Sequence, residues 1–531
     1  MRVVDIDEMK SIESDAMESF GFTEDLVLEN IGLRGADFIQ EEILTQRGFE
    51  EIVFLIGAKN NGADGLAVAR HLCNRGYPCR AFMLFDEAES SETLKKQREL
   101  AKAFGVKFTD LNGADQLSAY FTQTQDEYLV IDAILGIGFR GPLSNYLFDI
   151  VKLVNEFSNI TVSVDLATGI EANSGSIDGE AIFADYTMAV GLPKTGLYIG
   201  EGAKHTGEVA VLDCGFPLAT IDGGDKALLL MENLTHIYSG RSKFAHKNSL
   251  GHALIIGGSV GLTGALIMAS EAALRVGTGL VTAATWKESY EEATSRMTPE
   301  VMTGLIPTER DDVEDIIRLL ERYDSIVIGP GLGRDEKTRS SVLKLLSSFA
   351  GPVSVDADAI NALSLSEDAD LLKSRKAATI LTPHIGEFAS FMGVSNAEVL
   401  SNPLGLLKEA VEKTNSCIIL KGACTFLAFP TGEILINNFP NDGMATGGSG
   451  DVLSGMLGGL LAQAAPDKAD KKLSGLFTND SNYNEAMCLG VALHTLAGKH
   501  AALKNTPEAM SAKDIIKNLN EAFREISNPL L

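Results

Sequence analysis

The sequence predicts an α/β protein of two consecutive domains, each built on a parallel sheet with helices on both faces. Three observations carry this. Short runs rich in Val and Ile alternate with helical patterns along the chain: Glu51 to Ile56, Tyr128 to Leu135, Ile160 to Val164, Ala253 to Ile256, Ser325 to Ile328, Val353 to Val355, Ala378 to Leu381 and Cys417 to Leu420. Continuous apolar strands of this kind belong to sheets buried on both faces. The length, 531 residues, exceeds what one hydrophobic core supports. The rhythm also stops around Gly215 to Asp225, a turn-rich polar stretch, which places a boundary between about Pro217 and Ser239 and domains at 1–225 and 236–531.

Composition narrows the functional classes. A formal net charge of −27 disfavours nucleic acid as a partner but leaves room for a local pocket that takes a small phosphorylated ligand. The six cysteines are scattered without a CxxC pair, as expected of free thiols in a cytoplasmic protein rather than a zinc site or disulfide framework. The most apolar stretch, Gly264 to Thr285, is broken by Glu271 and Arg275, and Met1 to Phe20 has no signal-peptide pattern, so no membrane association is expected. Pro466 to Glu485 reads as an exposed insertion, a tolerated surface loop before a functional lid.

In the first domain, strand Glu51 to Ile56 runs into the polar glycine loop Gly57-Ala58-Lys59-Asn60-Asn61-Gly62-Ala63-Asp64-Gly65, and Leu66 to Asn74 is predicted to be a helix closed by Gly76. A strand, a glycine loop and a helix N-terminus make an anion site. Two further strands end in acids, Asp132 and Asp165, at the edge where open α/β sheets bind ligands. Each acid alone also suits a turn or an N-cap. Asn61, Asp132 and Thr168 together offer hard oxygen donors of low total charge, a set suited to potassium. Gly136-Ile137-Gly138-Phe139-Arg140-Gly141 matches GxGxxG, with Glu156 roughly at the distance of a ribose-binding acid, but Pro142 follows at once and the loop is not the first βα turn. A nicotinamide dehydrogenase is therefore disfavoured, while Arg140 on a glycine turn suits the pyrophosphate of a dinucleotide bound as substrate.

These segments, with Leu28-Glu29-Asn30 upstream and Val164 to Gly169 and Gly191-Leu192-Pro193-Lys194-Thr195-Gly196 downstream, resemble in order the signature segments of NAD(P)H-hydrate epimerases. That family interconverts the R and S forms of the hydrated, damaged nicotinamide cofactor and uses potassium. The resemblance implies a Rossmann-like three-layer α/β/α domain, with substrate contacts at Asn60, Asn61, Gly62, Ala63, Asp64, Gly136, Ile137, Gly138, Phe139, Arg140, Gly141, Pro142 and Asp165. It places potassium on Asn61, Asp132 and Thr168, and makes Asp165 the acid/base group with Lys194 as helper. The chain departs from the pattern twice. Thr168 follows Ala167 where a Pro-Ser pair is usual, keeping the hydroxyl, and Ala63 replaces a glycine, which is expected to hinder a left-handed loop.

The second domain carries Ile255-Ile256-Gly257-Gly258-Ser259, Thr263-Gly264-Ala265, Gly329-Pro330-Gly331-Leu332-Gly333, Val355-Asp356-Ala357-Asp358-Ala359, Leu381-Thr382-Pro383-His384 and Leu420-Lys421-Gly422-Ala423-Cys424-Thr425. Its most informative run is Asn441-Asp442-Gly443-Met444-Ala445-Thr446-Gly447-Gly448-Ser449-Gly450-Asp451, followed by apolar Val452 to Ala465. This reads as a phosphate-binding turn opening a helix, with Gly447, Gly448 and Gly450 freeing backbone N–H groups to converge on an anion. Asp451 in the first turn would repel a simple phosphate but suits a base that takes a proton from a hydroxyl about to receive phosphate. No Lys follows the Gly-Ser-Gly, so this is not a Walker A loop.

The order of these motifs resembles the ribokinase-like fold, most closely the ADP-dependent NAD(P)H-hydrate dehydratases. The resemblance implies Asp451 as base, the damaged dinucleotide on Ala265, Gly333, His384 and Asp451, and ADP on Lys421 to Thr425 and Asn441 to Gly450, with magnesium as phosphate counter-ion. His384 alone also reads as a structural histidine and Lys421 as a solvated strand-end charge; His494 to Lys499 and Asp514 read as packing and capping residues. The whole chain is thus expected to be a homo-oligomeric repair enzyme acting on NADH hydrate and NADPH hydrate with ADP, giving AMP and phosphate. The rival is a ribokinase-like alcohol kinase whose N-terminal half is a non-catalytic ligand-binding module.

Overall fold

The computed structural model describes residues 1–122, 128–157, 160–238, 240–307, 313–464 and 482–527. Residues 466–481 of the expected insertion lie outside them, and 482–485 open a helix. The chain divides into two compact units, Met1–Lys226 and Ala227–Leu531.

The first unit is built on strands β1 (Ile52–Ile56), β2 (Cys79–Met83), β3 (Lys107–Asp110), β4 (Leu129–Ala133), β5 (Ile160–Val164), β6 (Tyr186–Val190) and β7 (Glu208–Leu212). They lie in the order β3-β2-β1-β4-β5-β6-β7, every neighbouring pair parallel. β1 and β4 are buried at every residue because helices cover both faces, and β3 at the sheet edge is not, which is why its sequence carries no apolar run. The strand order reverses between β1 and β4, and the loops leaving their carboxyl ends part there to open a crevice.

Three helices shape that crevice: α1 (Ile6–Phe20), α2 (Glu24–Phe38) and α3 (Asn60–Asn74). A capping box starts α1, the Asp5 carboxylate accepting from the Glu8 N–H and the Glu8 carboxylate from the Asp5 N–H, both at 2.9 Å. The segment before it is held to the loop that carries Lys194, through Val4 N–H to Pro193 O at 3.0 Å and Thr195 N–H to Val4 O at 2.9 Å.

The glycine loop expected over 57–65 is shorter, because α3 begins at Asn60. Gly62 and Gly65 are helical and serve close approach: a Cβ on Gly62 would stand 2.2 Å from Gly57 O, and one on Gly65 2.4 Å from the Ala133 Cβ. Ala63 is likewise helical and wholly buried, so the expected obstruction of a left-handed loop does not arise.

The second unit holds a ten-stranded sheet of β8 (Lys226–Leu228), β9 (His252–Ile256), β10 (Leu280–Thr285), β11 (Met302–Leu305), β12 (Ser325–Ile328), β13 (Val353–Val355), β14 (Thr379–Leu381), β15 (Cys417–Leu420), β16 (Cys424–Ala428) and β17 (Ile434–Asn438). Its order is β11-β10-β9-β12-β13-β14-β15-β16-β17-β8. β9 to β15 pair in parallel, and β15, β16 and β17 form an antiparallel meander. The helix Ser449–Gln463 packs on Thr263–Arg275 so closely that a Cβ on Gly455 would lie 1.9 Å from Ala269 O. The carboxyl ends of β9, β12, β13, β14 and β15 therefore deliver 257–259, 329–333, 356–358, 382–384 and Lys421 to one edge of the sheet.

Candidate active sites

The crevice of the first unit is a cleft of about 830 Å³. Asn60, Asn61, Ala63, Asp64, Gly136, Ile137, Gly138, Phe139, Arg140, Asp165 and Lys194 line it, so most of the predicted contacts meet there; Gly62, Gly141 and Pro142 are not lining residues. Glu156 sits near the end of the helix Asn145–Phe157 and does not line the cleft.

Asp165 follows β5 with a left-handed backbone, φ 68°, which costs a non-glycine residue on the order of 1–3 kcal/mol. Surrounding bonds over-determine it: its N–H donates to Met188 O at 2.8 Å, and its carboxylate accepts from Val190 N–H at 3.2 Å and from Lys194 Nζ at 2.5 Å. Lys194 is 1% exposed and donates also to Val190 O at 2.7 Å, so carboxylate and ammonium satisfy each other in a place neither would enter alone.

Asp132 is wholly buried at the end of β4, and burial pushes its carboxyl up. Four donors oppose that shift: Ser163 Oγ at 2.9 Å, Thr168 N–H at 2.8 Å, Thr168 Oγ1 at 2.7 Å and Ile134 N–H at 3.2 Å. Asp132 and Thr168 thus come together. Asn61 is different: both atoms of its buried amide lack a protein partner. A buried amide left open in this way is suited to a water, an ion or a ligand group. Around the same cleft burial raises the Glu13 carboxyl, and it raises Asp64 well above the carboxylate range, with the Asp165 charge acting in the same sense on both.

In the second unit the predicted base stands where the motif put it. Asp451 lies in the first turn of Ser449–Gln463, and burial, reinforced by the Asp356 charge, pushes its carboxyl up to about 7 against the pull of Lys421. Lys421 is not a solvated charge. Its Nζ donates to Asp356 Oδ1 at 2.8 Å and lies 3.2 Å from where a Gly450 Cβ would be. Burial works against the ammonium, but Asp356, Glu387 and Asp451 outweigh it and hold its pKa above the ordinary value.

Of the motif glycines only Gly448 needs a left-handed backbone, φ 95°; Gly447 has open space where a side chain would be, and Gly450 faces Lys421. The side chains of the neighbouring segments turn elsewhere. Met444 packs on Gly498, Cys424 is buried with its thiol 3.1 Å from Asn438 Oδ1, and Asn441 Oδ1 accepts from Gly443 N–H at 3.1 Å. Any ligand contact of these three, and of Gly422 and Ala423 at the hairpin turn, falls mainly to the backbone.

His384 N-caps the helix Ile385–Met392, its Nδ1 accepting from Glu387 N–H at 3.2 Å, and its ring remains 58% exposed beside the bridge that pairs it with Lys421. Gly333 N–H donates to Asp358 Oδ2 at 2.9 Å, and Ala265 lies beside Gly331.

Three residues without an assigned role in the sequence belong to this edge. Asp356 anchors Lys421, Asp358 binds both Gly333 N–H and Arg334 Nε, at 2.8 Å for the latter, and Ala357 between them has φ 46°. Two acids spaced by one residue after a strand were the signal. His494, read as packing, is buried and pushed down to about 4 by burial. It is therefore neutral, and its Nε2, 3.0 Å from Ser449 O, donates to the turn that carries Asp451.

Two fused α/β units are thereby defined, one with a cleft holding the Asp165–Lys194 pair at the switch point of its parallel sheet, the other with Asp451, Lys421 and a glycine helix entrance at one sheet edge. The family profile described as NAD(P)H-hydrate dehydratase matches residues 253–521, and that described as YjeF-related protein N-terminus matches residues 24–196. The chain is 34% identical over 534 residues to the bifunctional NAD(P)H-hydrate repair enzyme Nnr of Moorella thermoacetica, covering 99% of this chain and 97% of the relative. It is 31% identical to the protein of the same name from Escherichia coli, over 90% of this chain and 84% of that one. Among solved structures, the ADP/ATP-dependent NAD(P)H-hydrate dehydratase of Bacillus subtilis, co-crystallised with ATP and Mg2+, aligns with 56% of this chain and 98% of its own at 26% identity and a TM-score of 0.47. The chain belongs to the family of bifunctional NAD(P)H-hydrate repair enzymes, in which an epimerase half precedes a dehydratase half.

Proposed function

We propose that residues 1–225 epimerise the R and S hydrates of NADH and NADPH, and that residues 236–531 dehydrate the S hydrate with ADP, releasing AMP and phosphate. Asp451 carries the second half: a carboxyl pushed up to about 7, in the first turn of a helix whose glycine entrance is open, beside the half-buried Lys421. A base so poised accepts the proton of the hydrate hydroxyl near neutral pH. The hydroxyl oxygen takes the β-phosphoryl group of magnesium-ADP, releasing AMP, while the amides of Gly447 to Gly450 and the ammonium of Lys421 stabilise the charge on that group; the C–O bond then breaks with its electron pair leaving on phosphate, and the adjacent ring carbon gives up a proton to water or base, restoring the ring double bond. Magnesium enters with the nucleotide as part of the substrate.

For the first half, the strained Asp165 with its Lys194 partner supports acid/base chemistry, and Arg140 on the cleft wall suits a dinucleotide pyrophosphate. Potassium is proposed at Asn61, Asp132 and Thr168: Asn61 has an unpartnered buried oxygen, and Asp132 and Thr168 bring further oxygen atoms together. A bound potassium ion would supply a fixed positive charge for the substrate's oxygens.

Incubation with mixed R and S hydrates plus magnesium-ADP, following the reduced-nicotinamide absorbance, tests both halves. Full recovery is expected. Recovery of the S fraction alone would remove the epimerase assignment, and turnover of a small alcohol with ATP but none of either hydrate would establish the kinase instead.

A further inference from the structure

Inversion at the hydrated carbon needs proton transfer on two faces. Water added to the enamine bond of a reduced nicotinamide leaves a hydroxyl on the carbon beside the ring nitrogen. Its removal begins when an acid protonates that oxygen. The C–O bond breaks with its electron pair leaving on water, and the nitrogen lone pair closes a C=N bond. Water returning to the other face forms the new C–O bond, the C=N pair goes back to nitrogen, and the extra proton passes to a base. Atoms and electrons balance, and one group cannot stand on both sides of the ring.

The Asp165 carboxylate, neutralised by Lys194, supplies one such group. A second comes into the same cleft from a different element. Helix α1 buries Ile6, Met9, Ile12 and Ala16, and Glu13 lies one helical turn beyond Met9 and one before Met17, on the same inward stripe. Met9 packs against Gly191, while Glu13 and Met17 line the cleft with Asp165 and Lys194. A carboxylate on the apolar stripe of a helix is a poor choice for packing. Nor is its position loose, because the backbone before α1 is bonded to Pro193 and Thr195 on either side of Lys194.

Resting on the epimerase reading above, we propose that Glu13 is the second proton-transfer group of the epimerase site, acting across the nicotinamide ring from Asp165. The charged and titratable groups that face it are Lys10 on its own helix, Glu24 on α2, Asp64 on α3, and Asp165 and Lys194 on the strand-end loops. Three carboxyl groups, Glu13, Asp64 and Asp165, line the same cleft as the buried Lys194, which is bonded to Asp165. Burial raises the Glu13 carboxyl, which favours its donating form beside the Asp165–Lys194 pair.

The test uses the full-length protein with pure R hydrate, magnesium-ADP and potassium, and compares the wild type with Glu13→Gln, Glu13→Asp and Asp64→Asn. Glu13→Gln is expected to lower kcat for R-hydrate conversion by about 10²-fold or more, leave KM little changed, and abolish the alkaline limb of the pH profile. Glu13→Asp should recover part of the rate and the limb, and dehydration of pure S hydrate should be unaffected in both. Retention of more than half the wild-type rate by Glu13→Gln, with an unaltered pH profile, would overturn the proposal. So would a loss confined to Asp64→Asn, or a loss in Glu13→Gln that Glu13→Asp does not relieve and that tracks a lower melting temperature. If the wild type itself consumes S hydrate and leaves R hydrate untouched, the epimerase reading falls and this proposal with it.

Discussion

A carboxyl group raised to about 7 makes Asp451 responsible for two pH dependences of opposite practical sense. As base it must be ionised, so kcat/KM for S hydrate should fall as pH drops below about 7, and Asp451→Asn should lose about 10²- to 10⁴-fold in turnover while still binding ADP. For stability the sign reverses. The folded state holds the proton more tightly than the unfolded chain, whose Asp titrates near 3.8, so stability is full below that value and is lost as pH rises through about 7. Asp451→Asn should therefore be more stable than the wild type at about pH 8, by a few kcal/mol at most, with the gap closing between 7 and 4. Denaturant titrations across that range check it; a constant gap would contradict the shifted carboxyl. His494 acts on the same turn without touching the reacting atoms. Because it is neutral and donates to Ser449 O, His494→Ala should lower kcat and leave the position of the acid limb unchanged.

The helix opening at Ser449 separates two uses of glycine that are indistinguishable in the sequence. Gly448 has a left-handed backbone, and a Cβ on it would lie 2.5 Å from Met268, whereas a Cβ on Gly447 would meet nothing. Gly448→Ala should destabilise the second unit by about 1–3 kcal/mol. Gly447→Ala should fold with an unchanged melting temperature yet weaken ADP binding, because its added methyl group would occupy space kept for the ligand; calorimetric titration with ADP distinguishes the two. Helix α3 gives the converse case. Ala63 is buried inside a helix, so Ala63→Gly, which restores the family's usual residue, should cost about 1 kcal/mol and bring no gain in epimerisation.

Taken whole, the chain carries a net charge of −27 and is proposed to act on two anionic substrates. Its overall field opposes their approach, and the local cations Arg140 and Lys421 must compensate. Moderate salt screens the distant charges before the buried pairs, so KM for ADP and for the hydrates should stay level or fall as ionic strength rises from about 0.01 to 0.15 M. A steep rise with salt would mean that surface charge attracts rather than repels them.

Every one of the eight strand runs read from the sequence is a strand in the structure, because central parallel strands are apolar on both faces and announce themselves. The edge strands β3 and β11, half exposed, carry no such run, and the interior strands β2, β6 and β10, whose apolar pattern is broken by Arg80, Thr187 and Thr282, are not read from the sequence, nor are the short meander strands β16 and β17. Likewise Asp165 at a strand end and Asp451 in a helix's first turn stand out in the sequence, while Lys194 and Lys421 come only from the family resemblance. Only the fold decided that Lys421 is anchored by Asp356, that His494 holds the turn before Asp451, that Asn61 is left with an open amide, and that Glu13, more than 150 positions before Asp165, lines the same cleft. These depend on distance through space and on burial, and a sequence encodes both only through the packing of the whole chain.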